Sequence, residues 1–148
     1  MNDSSYGQIA NLIARYAFVT DDGDFAALGQ LFSHGSFSLN GGAPVHGAAA
    51  VTELARRVLQ TYQDGTPRTR HVTTNLLIDI DEQAGRAQSR SYFTVFQSLP
   101  DLPLQPIAAG HYEDRFTREG PSAWRFADRV VSTDFTGDTS RHVRPAAH

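Results

Sequence analysis

Four polar residues, far apart in the chain, have the types that proton-transfer chemistry needs: Tyr16, Asp21, His71 and Arg129. Histidine is the side chain whose ordinary pKa lies nearest neutrality, so it can accept a proton and release it again. A carboxylate bonded to one ring nitrogen fixes the tautomer and stabilises the imidazolium that forms. A tyrosine hydroxyl and a guanidinium can meet negative charge that develops elsewhere on a substrate. Sequence spacing alone does not join these four. Each also has a structural reading: Tyr16 as a core tyrosine, Asp21 as part of the polar break "TDDGD", His71 as a wet strand end, and Arg129 as a surface arginine paired with Asp128 or Asp114.

The elements that must position them follow from periodicity. Ile9, Leu12, Ile13, Tyr16 and Ala17 recur at helical spacing and form one apolar stripe. That helix ends at Thr20 to Asp24, with Gly23 and the aspartates as the break. Asp24 caps a short second helix that carries Phe25, Leu28 and Phe32. "NGGAP" (Asn40 to Pro44) reads as a loop. A third helix begins near Ala48, with Val51, Leu54, Ala55, Val58 and Leu59 on one side, and stops at "QDGTP".

The second half reads as strands near residues 69–80, 86–98, 106–117 and 123–135. Pro100, Pro103 and Pro106 place the segment between the second and third strands outside any strand. In "TRHVTTNLLIDI", strict alternation puts Val72, Leu76, Ile78 and Ile80 on one face, and His71, Thr73, Asn75 and Leu77 on the other. Helices followed by long antiparallel strands imply an α+β domain. The arrangement expected is a cone-shaped, strongly curved mixed or antiparallel sheet wrapped around the N-terminal helices, with a deep central pocket. Phe18, Phe93, Phe96, Leu99 and Phe135 are candidate apolar walls. Asn75 and His111 are candidate polar contacts, by alternation.

The 148 residues fit one domain, placed at 1–136, followed by a polar tail at 137–148 that either closes the pocket or frays. The net charge of -3 and the scattered basic residues argue against nucleic acid or anionic membrane as partners. With no cysteine, disulfides, thiolate catalysis and cysteine-bound zinc are excluded. No histidine pair has metal-binding helical spacing, and no dinucleotide fingerprint, phosphate loop or nucleophile elbow occurs, so neither metal nor cofactor is expected. His34, His46, His142 and His148 lie in loop-like or tail sequence and are not assigned to the site. No signal peptide and no membrane span are read, so a cytoplasmic protein is expected.

"RYAFVTDDGDFAALGQLFS", "TRHVTTNLLIDI" and "AAGHYEDRFTREGPSAWRFADRVV" together resemble SnoaL-like proteins of the nuclear transport factor 2-like superfamily. The resemblance covers the chain to about Thr136 and implies the curved-sheet cone. Within that family it is nearest to the elimination group: scytalone dehydratase, bile-acid 7α-dehydratase and hexachlorocyclohexane dehydrochlorinase. His71, Thr74, Asn75 and Leu76 match the "H-x-x-T-N-L" look of their histidine strand, and Asp21 falls on their aspartate. Arg129 falls on an arginine of the last long strand, and Tyr16 on a tyrosine or lysine position. The second histidine of scytalone dehydratase has no counterpart in "SYFTVFQ". The carboxylate base of ketosteroid isomerase is replaced by Leu39 and Asn40. The resemblance thus implies a cofactor-independent lyase with a His71–Asp21 base, acting on a small hydrophobic molecule, cyclic compounds included, within a homodimer or homotrimer. Isomerase or polyketide cyclase chemistry on the same site, and binding without catalysis, stand beside it.

Overall fold

The computed structural model describes residues 4–145; His148 and the last residues of the expected tail lie outside that range. Three helices come first. α1 (Ser5–Asp21) is capped by Ser4, whose side chain accepts from the Gly7 amide at 3.0 Å. Its buried stripe is Ile9, Leu12, Ile13, Tyr16 and Thr20, the positions that helical spacing brings onto one side. α2 (Phe25–Gln30) is capped by Asp24, as its sequence requires, with the Ala27 amide at 3.0 Å. α3 (Ala48–Val58) presents Val51 and Ala55 to the core. The turn after α1 depends on Gly23, whose φ of +73° suits glycine and whose missing Cβ lets the Gly65 carbonyl approach.

Six strands form one mixed sheet: β1 (Ser36–Leu39), β2 (Val45–His46), β3 (Thr69–Asp81), β4 (Arg86–Leu99), β5 (Leu102–Thr117) and β6 (Arg125–Thr136). Their order is β2-β1-β6-β5-β4-β3. All neighbours are antiparallel except β1 and β6. The sheet curves around the helices, and bulges in β3, β5 and β6 contribute to that bending. The core lies between the concave face and the helices, where Phe32, Phe37, Phe116 and Phe126 stack among Ile9, Ile13 and Ile107.

Two expectations are corrected. β1 and β2, too short to show a period, form a hairpin within the stretch read as helix and loop, with "NGGAP" as its connection. β5 begins at Leu102 and includes Pro103 and Pro106. These prolines are tolerated because β6 pairs with β5 only from Ala108 onward, so that end of β5 is an edge, and Pro106 sits at a bulge. The tail is ordered as far as it is described. It runs back across the sheet mouth as a strap, with Val143 bridged to Leu59 and hydrogen bonds from Gln60 N to His142 O (2.9 Å) and Arg144 N to Val58 O (2.7 Å).

Candidate active site

The face of β3 that looks inward is not the one strict alternation gives. Asn75 has a φ of +59° and sits in a bulge, where Asn75 and Leu76 of β3 oppose the single Ser91 of β4. The extra residue inverts the alternation partway along the strand. His71 and Thr73 therefore share the inner face with Leu76, Ile78 and Ile80, while Val72, Thr74, Asn75 and Leu77 face out. Asn75 itself is exposed and does not line the pocket.

Asp21, the last residue of α1, meets the start of this strand. Its Oδ1 lies 2.6 Å from His71 Nδ1 and accepts from the Thr69 hydroxyl at 2.8 Å. Its Oδ2 accepts from the His71 backbone N–H at 2.8 Å. Burial alone would raise this carboxyl. The hydrogen bond and charge of His71, with the backbone and Thr69 donors, more than offset it and hold Asp21 below its ordinary value. The helix runs unbroken through Asp21. Five residues along a helix already separate the two directions by roughly 140°: Tyr16 faces β5 and β6, and Asp21 faces β3. With Nδ1 occupied, His71 has Nε2 left for other contacts.

His71 lines a cavity of about 700 Å³ between the concave sheet face and α1 to α3. Its walls are mainly apolar, with Phe37, Val51, Leu54, Phe93 and Val131 among them, and its polar groups include Tyr16, Tyr112, Thr133 and His142. Phe93 thus takes its expected place. It stacks on Tyr112 at 4.6 Å and packs over Gly110, where a Cβ would come within 2.6 Å of the ring. Among the described residues, no Asp, Glu, Lys or Arg lines this cavity. Burial raises the Tyr16 hydroxyl, partly offset by Arg129, and raises Tyr112 well above its ordinary value, so both stay protonated.

Arg129, expected to meet substrate charge directly, lies beneath the tyrosines instead and is 0% exposed. It stands opposite Asp114 in the β5–β6 register and bonds it through Nε (2.8 Å) and Nη2 (2.9 Å). The guanidinium lies 3.7 Å from the Tyr112 ring centroid and 4.2 Å from that of Tyr16. Burial opposes its charge, but the Asp114 carboxylate outweighs burial and raises Arg129. Its charge is already met, and its rings are the pocket tyrosines: it holds them in place.

Other expected wall residues fall elsewhere. Phe18, about 200° around α1 from Tyr16, is 69% exposed, and Phe135 is 76% exposed beyond a bulge in β6. Phe96 sits opposite Arg70 between the buried Val95 and Gln97, and is turned from the cavity, which Leu99 also does not line. His111 points outward and pairs with Asp134 at 2.8 Å. The alternation that excludes it brings Tyr112, Asp114 and Phe116 inward, but does not itself say which face is inward. His142 was not legible either: nothing in the tail sequence marks it. No group of three or more His, Cys, Asp or Glu able to hold a metal occurs among the described residues. None of the described helices is long and apolar enough to cross a membrane.

A curved sheet lined by helices around a deep cavity is a fold shared with solved structures. A nuclear transport factor 2-like protein with a cystatin-like fold from Novosphingobium aromaticivorans matches at TM-score 0.72 and 22% identity, over 93% of this chain and 86% of that one. A Mycobacterium tuberculosis protein of unknown function matches at TM-score 0.70 and 27% identity, over 89% and 73%. A Catenulispora acidiphila protein, solved in complex with S-DNPA, matches at TM-score 0.68 and 24% identity, over 86% and 92%. No match to a curated protein was found. The SnoaL-like domain profile matches residues 4–130, and the chain belongs to that family.

Proposed function

We propose that this protein is a cofactor-independent lyase, of dehydratase or dehydrohalogenase type, that abstracts a proton from carbon of a small hydrophobic substrate. The observation that carries this reading is the 2.6 Å contact between His71 Nδ1 and Asp21, with the same histidine lining an uncharged cavity of about 700 Å³. Asp21 holds the tautomer that presents Nε2 as the base and stabilises the imidazolium formed. The neutral hydroxyls of Tyr16 and Tyr112, on rings whose centroids are 5.6 Å apart, donate to the oxygen or leaving group where negative charge gathers. Arg129 acts through these two rings as a positioning residue. The electrons of the broken C–H bond form the new double bond and the leaving group departs with its pair. Isomerase or cyclase chemistry would use the same base and differ only in where the proton returns.

A panel of hydroxylated and halogenated cyclic compounds, assayed for elimination, tests the reading. Turnover by the wild type that falls about 10²- to 10⁴-fold in His71→Ala supports it. Full activity of that variant on the same substrate would sink it. Product analysis in deuterium oxide separates elimination from isomerisation. Self-association belongs to the same reading: Val72, Leu77 and Tyr92 are exposed on the convex face, and a large apolar patch marks interfaces. A monomer by light scattering would refute that part.

A further inference from the structure

The strap carries a second imidazole to the cavity. Thr139, His142 and Val143 line the wall there. Seven residues of chain, from Asp138 to Arg144, are held by three side chains, two from the segment after α3 and one from β4. The Gln60 amide side chain donates to Ser140 O and Val143 O (both 2.8 Å), Gln97 Nε2 donates to Arg141 O (3.0 Å), and the Tyr62 hydroxyl donates to the same carbonyl. This anchoring buries His142 to 7% exposure and sets its ring centroid 6.0 Å from that of His71, at 59°. Its Nδ1 is buried and has no hydrogen-bond partner among the described residues. That atom is sealed from the cavity; Nε2 also has no hydrogen-bond partner among the described residues but is not sealed, so it is the ring nitrogen His142 leaves for a ligand at the cavity wall.

Chemistry narrows the ligand. Burial, reinforced by the charge of His71 and only partly countered by Asp21, lowers His142 to about 4. At neutral pH it is an uncharged ring with one N–H and one lone pair. A carboxylate would find no cation on these walls, since Arg129 lies outside the lining and is already bound to Asp114. A hydrocarbon would leave the imidazole unpaired. A hydroxyl or carbonyl oxygen satisfies it. We propose that His142 binds an oxygen substituent of the substrate, beside the proton-abstracting His71, and makes the cavity selective for neutral oxygenated molecules over hydrocarbons of the same shape. The lyase reading enters only in naming His71 as the base; the binding preference stands apart from it.

Two bicyclic probes test this on the full chain: 1-tetralone, a ketone, and tetralin, its hydrocarbon counterpart. One neutral hydrogen bond corresponds to about a three- to tenfold difference in Kd, so the wild type is expected to favour tetralone by that factor. In His142→Phe, which keeps the ring volume under the strap, the preference is expected to vanish while tetralin affinity holds. His142→Gln is expected to restore part of it. In the wild type, the ring ¹⁵N signals of His142 should shift with tetralone and not with tetralin. Equal binding of the two probes by the wild type overturns the proposal. So does a preference that survives in His142→Phe but is lost in His71→Ala. A preference that depends on His142 in a protein whose elimination activity ignores His71→Ala would leave this inference intact and refute the lyase.

Discussion

Two aspartates on the inside of this molecule each hold a nitrogen base, and their surroundings make them opposite devices. Asp114 grips Arg129 with two hydrogen bonds under a roof of Tyr16, Tyr112 and Phe126, at zero exposure of both side chains. Asp21 grips His71 with one ring contact, at the edge of a cavity. The first pair is shut in and neutralised. The second leaves a ring nitrogen uncommitted at the cavity wall. Charge pairing alone therefore does not mark a candidate site; an opening onto a cavity does.

The contrast can be broken by substitution. Arg129→Met leaves Asp114 buried without its partner and is expected to cost about 3–5 kcal/mol of stability. Chemical denaturation should show the loss, and a change under 1 kcal/mol would mean the pair is not structural. His71→Ala should do the reverse, with a melting temperature near the wild type and turnover lowered about 10²- to 10⁴-fold.

Asp21→Asn sits between. Three donors converge on this carboxylate, and an amide cannot accept from all of them without turning its own N–H₂ toward one. It is expected to lose about 1.5–3 kcal/mol, or roughly 3–12 °C in Tm for a chain of this size, as well as activity. An unchanged Tm would mean the donors find water instead.

Acid should act first on the strap. The His142 pKa is lowered from 6.5 to about 4, so the undocked strap binds more protons between those values. Its docking is complete above about 6.5 and weakens as pH falls toward 4. Asp21, the carboxylate near both rings, is depressed below its ordinary 3.8, so its own contribution is lost only at lower pH. Hydrogen exchange at the Gln60 and Arg144 amides, which bond across the strap, should rise over that window. Flat protection from pH 7 to 4 would count against it. The smallest effects belong to Phe18→Ser and Phe135→Ser, two exposed rings outside the cavity. Each should stay within about 0.5 kcal/mol and leave turnover unchanged.

Much of this was legible in the sequence for identifiable reasons. The stripe from Ile9 to Tyr16 has a helical period, Asp24 is a strong cap, and the four long strands are bounded by clear breaks. Asp21, His71 and Tyr16 were named from residue type and order in a recognisable motif. Period-2 alternation in "GHYEDRF" sets His111 and Tyr112 on opposite faces, but it does not say which face is inward, and the His111 face was the wrong choice. Other features had no local signal. The bulge at Asn75 needs a positive φ that the partner strand imposes. The short β1–β2 hairpin draws its pairing from β6, over ninety residues later.

By itself, then, the sequence determined the three helices, the four long strands and the candidate residues Asp21 and His71. Propensity, periodicity and capping are local, and act over a few residues. Only the tertiary structure decided which histidines face the cavity and which arginine is sealed from it. Those outcomes depend on strand register, on one bulge, and on a polar tail returning across the mouth. Contacts between residues 48 to 80 apart in the chain, such as Asp21 with Thr69 or Gln60 with Ser140, fix them, and no local pattern encodes such distances.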